Sequence, residues 1–196
     1  MFDHIKQAPS LVLDLGAHCG HFMVVCETIT VEKFGFIGTR YIAVEPLEEM
    51  ISLLRSVMSG IGATSRLNVV KGLVGQRCGG ASVFSSTKSR MDTSIFQANA
   101  EMQMRGESVS YVDLEALVPA EADVDILKLD IEGAEYDFID AYSDLLRRTR
   151  MLAVELHPIE GKSMDTFIAS LYGMGFKSCS SPIMKPDGCR LLLLDR

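Results

Sequence analysis

At 196 residues, with 47% hydrophobic and 23% charged side chains, the chain has the size and balance of one ordinary folded domain, spanning 1–196. Nineteen basic against 26 acidic residues leave a net charge of -7, which argues against nonspecific binding to nucleic acid or to an acidic membrane surface. Five cysteines (Cys19, Cys26, Cys78, Cys179, Cys189), odd in number and without a CxxC spacing, give neither a disulfide framework nor a structural zinc site. No apolar run reaches the roughly 20 residues of a membrane span, and MFDHIKQAPS lacks the layout of a secretory leader. A reduced, cytoplasmic protein is the expectation.

In chain order, the first apolar run is SLVLDLG from Ser10, followed by a stretch from Gly20 to about Lys33 that can form a helix. YIAVEP from Tyr41 is the second run. After Pro46, suited to a first helical turn, Met50, Ile51, Leu54, Val57 and Met58 recur at helical spacing. LNVVKG from Leu67, VDILKLD from Val124, MLAVELH from Met151 and CRLLLLD from Cys189 complete the strand set. Helical stripes follow Gly133 (Tyr136, Phe138, Ile139, Leu145, Leu146) and Ser163 (Met164, Phe167, Ile168, Leu171). Most runs are apolar at successive positions, as strands buried on both faces require. Alternation of such strands with helices predicts a mostly parallel α/β sheet whose ligands bind at the carboxyl ends of its strands. Between Gly79 and about Val112 the alternation breaks. Two short strands there, near 81–85 and 107–111, flank a polar, Met-containing loop, which reads as a β-hairpin insertion and a candidate lid.

The strand ends carry the chemistry. DLGAHCG at the end of the first strand holds Asp14, Gly16 and Gly20, where glycine lets the backbone turn sharply and approach a ligand. Glu45 closes the second strand and is placed to accept hydrogen bonds from both hydroxyls of a ribose; the alternative is a carboxylate that simply complements the following helix. Gly16 and Glu45 together point to an adenosine-containing ligand. A dinucleotide is disfavoured, because His18 stands where the middle glycine of G-x-G-x-x-G must let the backbone approach a pyrophosphate.

VLDLGAHCG, AVEP, LKLDIEGAEYD and VELHP, spread from Leu11 to Pro158, resemble the FkbM-type branch of the class I S-adenosylmethionine-dependent methyltransferases. KLDIEGAE is the most specific of these blocks. The resemblance implies a seven-stranded Rossmann-like sheet, S-adenosylmethionine as cofactor, and O-methylation of a sugar or natural-product-like small molecule. It also implies that Asp14, Gly16, Ala17 and Gly20 form the cofactor turn and that Glu45 holds the ribose. Asp130, Glu132, Gly133 and Glu135 would stand beside the transferred methyl, with Glu155 and His157 bordering the acceptor pocket. The third strand departs from the family pattern: it ends in VVKGLVG, with Lys71 and no acid for the adenine amine.

Methyl transfer from a sulfonium to an alcohol oxygen asks the protein to align the partners and to remove a proton. Asp130 and His157, at strand ends, are the candidate bases, the imidazole because it ordinarily titrates near neutrality; Glu132 joins them as a catalytic candidate. Glu135 and Asp137 also read as carboxylates favoured in a first helical turn, and Glu132 as a residue satisfying backbone donors. His18 and His21 read as turn and helix-start residues. Asp130, Glu132, Glu155 and His157 suit a hard divalent cation as well, but their spacing is not diagnostic and no metal is assigned. The rival reading is a Rossmann-like protein that binds the cofactor without turnover.

Overall fold

A computed structural model describes residues 4–85, 93–94 and 107–196. Its strands are β1 (Leu11–Leu15), β2 (Arg40–Glu45), β3 (Leu67–Lys71), β4 (Gly80–Ser85), β5 (Thr93–Ser94), β6 (Glu107–Ser110), β7 (Val124–Leu129), β8 (Thr149–Leu156), β9 (Lys177–Ser178), β10 (Ile183–Met184) and β11 (Arg190–Asp195). The helices are α1 (His21–Phe34), α2 (Glu48–Gly60), α3 (Leu114–Leu117), α4 (Glu135–Ala141), α5 (Ser143–Arg147) and α6 (Met164–Gly173). All six apolar runs are strands.

The main sheet runs β10-β11-β8-β7-β1-β2-β3, with β9 added on β11, so among the described residues it has eight strands where seven were expected. Pairs among β3, β2, β1, β7 and β8 are parallel, and β11 runs antiparallel to β8, β9 and β10. Side-chain alternation splits the sheet residues between two cores. Leu11, Leu13, Leu15, Leu127 and Leu129 pack with Phe138, Tyr142, Leu145 and Phe167 from α4, α5, α6 and the residue joining α4 to α5. Val12, Tyr41, Ala43 and Ile126 pack with Met23 and Cys26 of α1 and with Leu54 and Met58 of α2. Burying both faces is what makes the strands continuously apolar.

The helices differ in detail from expectation. Pro46 lies outside α2, one residue before its N-cap Leu47. The stripe after Gly133 is broken at Tyr142, whose hydroxyl donates to the carbonyls of Gln76 and Val112. Ser163, which precedes the second stripe, caps α6, its hydroxyl accepting from the Thr166 amide at 3.2 Å.

The insertion after β3 is a separate three-stranded sheet in the order β5-β4-β6, with β4 antiparallel to β6 as expected. The candidate lid, Ser85 to Arg105, falls almost wholly outside the described residues. Among the described residues, no helix is long and apolar enough to cross a membrane.

Candidate functional site

Chain order in the sheet reverses at β1, because β2 and β3 extend to one side and β7 and β8 to the other. Connections leaving β1 and β7 therefore diverge and leave a crevice beyond their carboxyl ends. A cavity of about 270 Å³ lies there, near the lower end of the range for small-molecule sites. Its walls come from four separate segments: Gly16–His18 with His21 and Phe22, Val44–Pro46, Gly72–Val74, and Lys128 with Asp130–Glu132.

Gly16 is where the two central strands nearly touch. Its φ is +73°, and a Cβ there would stand 1.7 Å from the carbonyl oxygen of Asp130, so a larger residue is excluded by both conformation and space. The turn is tied across the sheet, with the Gly16 and Ala17 amides donating to the Val44 carbonyl and the Asp130 amide to the Leu15 carbonyl.

Glu45 is 5% exposed yet reaches the cavity wall. Oε2 accepts from the His18 amide at 2.8 Å and Oε1 from the Leu47 amide at 3.0 Å. Burial pushes this carboxyl above its ordinary value, although the two amides oppose the shift. The carboxylate thus holds the turn and the start of α2 together, and each oxygen keeps lone-pair capacity for a further donor.

Behind the turn, Lys128 donates to the Gly16 carbonyl at 2.8 Å and stands 3.4 Å from Asp14 Oδ1 and 3.2 Å from Asp130 Oδ2. Asp14 is wholly buried and off the cavity wall. Burial drives its carboxyl up to about 6 despite the lysine. Lys128 is itself raised, because Asp14 and Asp130 outweigh the opposing effect of burial.

Around Asp130 a second group of side chains converges. Glu132 has φ +55°, rare for a residue with a side chain. Its Oε2 is 3.5 Å from Nε2 of His157, while Nδ1 of the same ring is 3.1 Å from Oε1 of Glu135. That Glu135 oxygen also accepts from the amides of Ile131 and Gly133, at 3.0 and 3.2 Å. One buried carboxylate therefore fixes both the Glu132 turn and the imidazole. Burial pushes the Glu132 carboxyl up to about 7, with Asp130, Glu135 and Glu155 adding to the shift and His157 opposing it. Burial lowers the His157 value, but Glu135, Glu132 and Asp130 together raise it to about 9. Ligand atoms of Asp130, Glu132 and His157 all lie within 4.8 Å of one another.

A family model described as the methyltransferase FkbM domain matches residues 14–178. The chain belongs to that family. Solved structures share the fold of this FkbM domain at low identity. Methyltransferase FkbM from Methylobacillus flagellatus KT aligns over 97% of this chain and 44% of its own, with TM-score 0.60 and 14% identity. An uncharacterized protein from Listeria monocytogenes serotype 4b aligns over 99% and 64%, with TM-score 0.57 and 10% identity. A protein from Clostridium thermocellum described as a putative rRNA-methylase aligns over 99% and 89%, with TM-score 0.58 and 7% identity. The chain thus spans less than two thirds of the length of the first two. No curated protein sequence matches it.

Placed on the FkbM domain, the sequence candidates fall into three groups. Gly16, Ala17, Glu45, Asp130 and Glu132 line the cavity. Asp14 and Gly20 stand behind it, and Gly20 is the N-cap of α1, packed on Leu54 and Met23. His157 lies beyond the wall, facing Glu132 rather than the cavity. Its imidazole does not titrate near neutrality as the sequence suggested, because three carboxylates surround it. Glu155 is bound by Lys185 and its Oε1 is 3.9 Å from His157 Nε2.

One residue was missed: Lys128, the single cation in a strand whose other charged residue is Asp125. Glu135, named with the family block and also read as a first-turn carboxylate, is completely buried. His18, read as a turn residue, does sit in the turn with φ +49°, and it also forms part of the cavity wall.

Proposed function

We propose that this domain binds S-adenosylmethionine in the crevice beyond β1 and β7 and transfers its methyl group to a hydroxyl oxygen of a small molecule. The observation that carries this reading is one cavity lined together by Gly16, Glu45, Asp130 and Glu132. Glu45 would accept from the ribose hydroxyls, the Gly16–His18 turn would admit the methionine portion, and Leu73 with Val74 would cover the base. The cofactor supplies the reactive sulfonium. Bound there, the sulfonium would supply the methyl group to the acceptor oxygen with the electron pair staying on sulfur, and the acceptor's O–H proton would pass to the Asp130 or Glu132 carboxylate on the cavity wall. An acidic chain suits a small acceptor better than a nucleic acid, since it carries 26 acidic against 19 basic residues.

Single-turnover methylation tests the assignment. Asp130→Asn should slow transfer by roughly 10²–10⁴-fold if its carboxylate assists proton removal, while His157→Ala should act only through the Glu132 it positions and cost less. Binding of S-adenosylhomocysteine should change far less, because such assistance acts on the transition state. Near-normal rates in both variants would remove the proton-transfer role. Tight cofactor binding with no transfer to any fraction of a cell extract would favour a non-catalytic binder.

A further inference from the structure

We infer that Asp130, Glu132 and His157, whose spacing in the sequence is not diagnostic, bind a divalent cation of the Mn²⁺ class beside the Asp130–Glu132 wall of the cavity. The three residues come from two strand ends, β7 and β8, that the fold places side by side. Their ligand atoms lie within 4.8 Å of one another. Octahedral coordination at about 2.1 Å would set such atoms roughly 3–4 Å apart, so only a small contraction is needed. Two carboxylate oxygens with one imidazole nitrogen form a mixed donor set, harder than a zinc finger and softer than a calcium cage.

Two further features point the same way. Glu135 holds Nδ1 of His157 at 3.1 Å and leaves Nε2 facing Glu132, the carboxylate–histidine pairing by which outer groups orient imidazole ligands. The Glu132 backbone is held at φ +55° beside Gly133 at φ +103°, a conformation that a merely exposed acid has no reason to keep. Glu135 stabilises this turn through the Ile131 and Gly133 amides, so the same buried carboxylate positions two of the three ligands.

Charge is consistent with a cation there. Asp130, Glu132, Glu135 and Glu155 gather round one imidazole, while Lys128 is shared between Asp130 and Asp14, and Lys185 sits on Glu155. If the proposed methyl transfer holds, such a cation would polarise the acceptor hydroxyl and so favour loss of its proton, with an acceptor along the Asp130–Glu132 wall able to occupy the open coordination positions. They would favour an acceptor that offers two neighbouring oxygens, such as a vicinal diol or a hydroxy acid, over an isolated alcohol.

The experiment is Mn²⁺ binding to chelator-stripped protein, read from the loss of the free-ion electron paramagnetic resonance signal. One ion per chain is expected, with affinity lowered at least tenfold in Glu132→Gln and in His157→Ala. Glu155→Gln should keep wild-type affinity; if it abolished binding while Glu132→Gln did not, the ligand set would be wrong. Absence of stoichiometric binding, or binding indifferent to all three variants, overturns the proposal. S-adenosylhomocysteine binding to the stripped proteins reports folding and tests the cofactor reading separately, because it requires no metal.

Discussion

Gly16 makes the sharpest demand of any single residue. Forcing a Cβ at φ +73° costs about 1–2 kcal/mol, and the 1.7 Å approach to the Asp130 carbonyl adds a clash between two backbones that sheet pairing holds in place. Gly16→Ala should therefore lose more than about 3 kcal/mol in denaturant unfolding. Gly35→Ala makes the control, since Gly35 has φ +63° but nothing within 4 Å of its Cβ position, and it should lose only about 1 kcal/mol. Equal losses would mean that conformation, not the crossing of β1 and β7, sets the requirement. Glu45 poses a subtler question, because its carboxylate already bonds the His18 and Leu47 amides. Glu45→Ala should weaken cofactor binding by roughly 1.5–3 kcal/mol, about tenfold or more. Unchanged affinity by calorimetry would sink the ribose assignment.

At the scale of elements, one buried acid ties α1 to the sheet in addition to the apolar packing of Met23 and Cys26. Glu27 accepts from the Tyr41 hydroxyl at 2.7 Å and from two Arg66 nitrogens at 2.6 and 3.1 Å, linking α1, β2 and the 3₁₀ turn Thr64–Arg66. Burial raises the Glu27 value, but Arg66 and Tyr41 outweigh it and hold the carboxyl below its ordinary 4.5. An acid depressed in the folded state contributes stability above its unfolded value and loses it as pH falls. Arg66→Ala, which strands the carboxylate, should cost about 2–4 kcal/mol at pH 7 and clearly less near pH 3.5. A loss that is the same at both pH values would show that packing of the arginine stem, not its charge, matters.

The elements also show what was legible in the sequence. All six main strands announce themselves as apolar runs, most plainly β1, β2 and β7, where burial on both faces leaves successive positions apolar. β9 and β10 do not, since two-residue edge strands carry no period. The break between α4 and α5 was equally hidden, because a helical stripe persists across Tyr142 while the tyrosine hydroxyl is drawn to Gln76 and Val112, far away in sequence. In the site, Gly16, Glu45 and Asp130 were readable as residues closing strands. The role of Lys128 was not, because its partner Gly16 lies across the sheet, and the bond from Glu135 to His157 was hidden for the same reason, since the two lie 22 residues apart.

For the molecule as a whole, the cavity is a seam. Its four wall segments begin at residues 16, 44, 72 and 128, so a ligand there touches the carboxyl ends of β1, β2, β3 and β7 at once. A bound cofactor would favour the folded state as a unit rather than one loop. At a concentration one hundred times its dissociation constant, a ligand specific for the native state contributes about 2.7 kcal/mol. In a domain of this length that corresponds to a rise in Tm of about 5–10 °C. S-adenosylhomocysteine should produce such a shift in scanning calorimetry, rising with the logarithm of its concentration. NAD should not, because the His18 side chain sits where a pyrophosphate would need bare backbone. The decisive contrast is between these two ligands on the same protein: stabilisation by NAD without stabilisation by S-adenosylhomocysteine would make this crevice a dinucleotide site and withdraw the methyl-transfer reading with it.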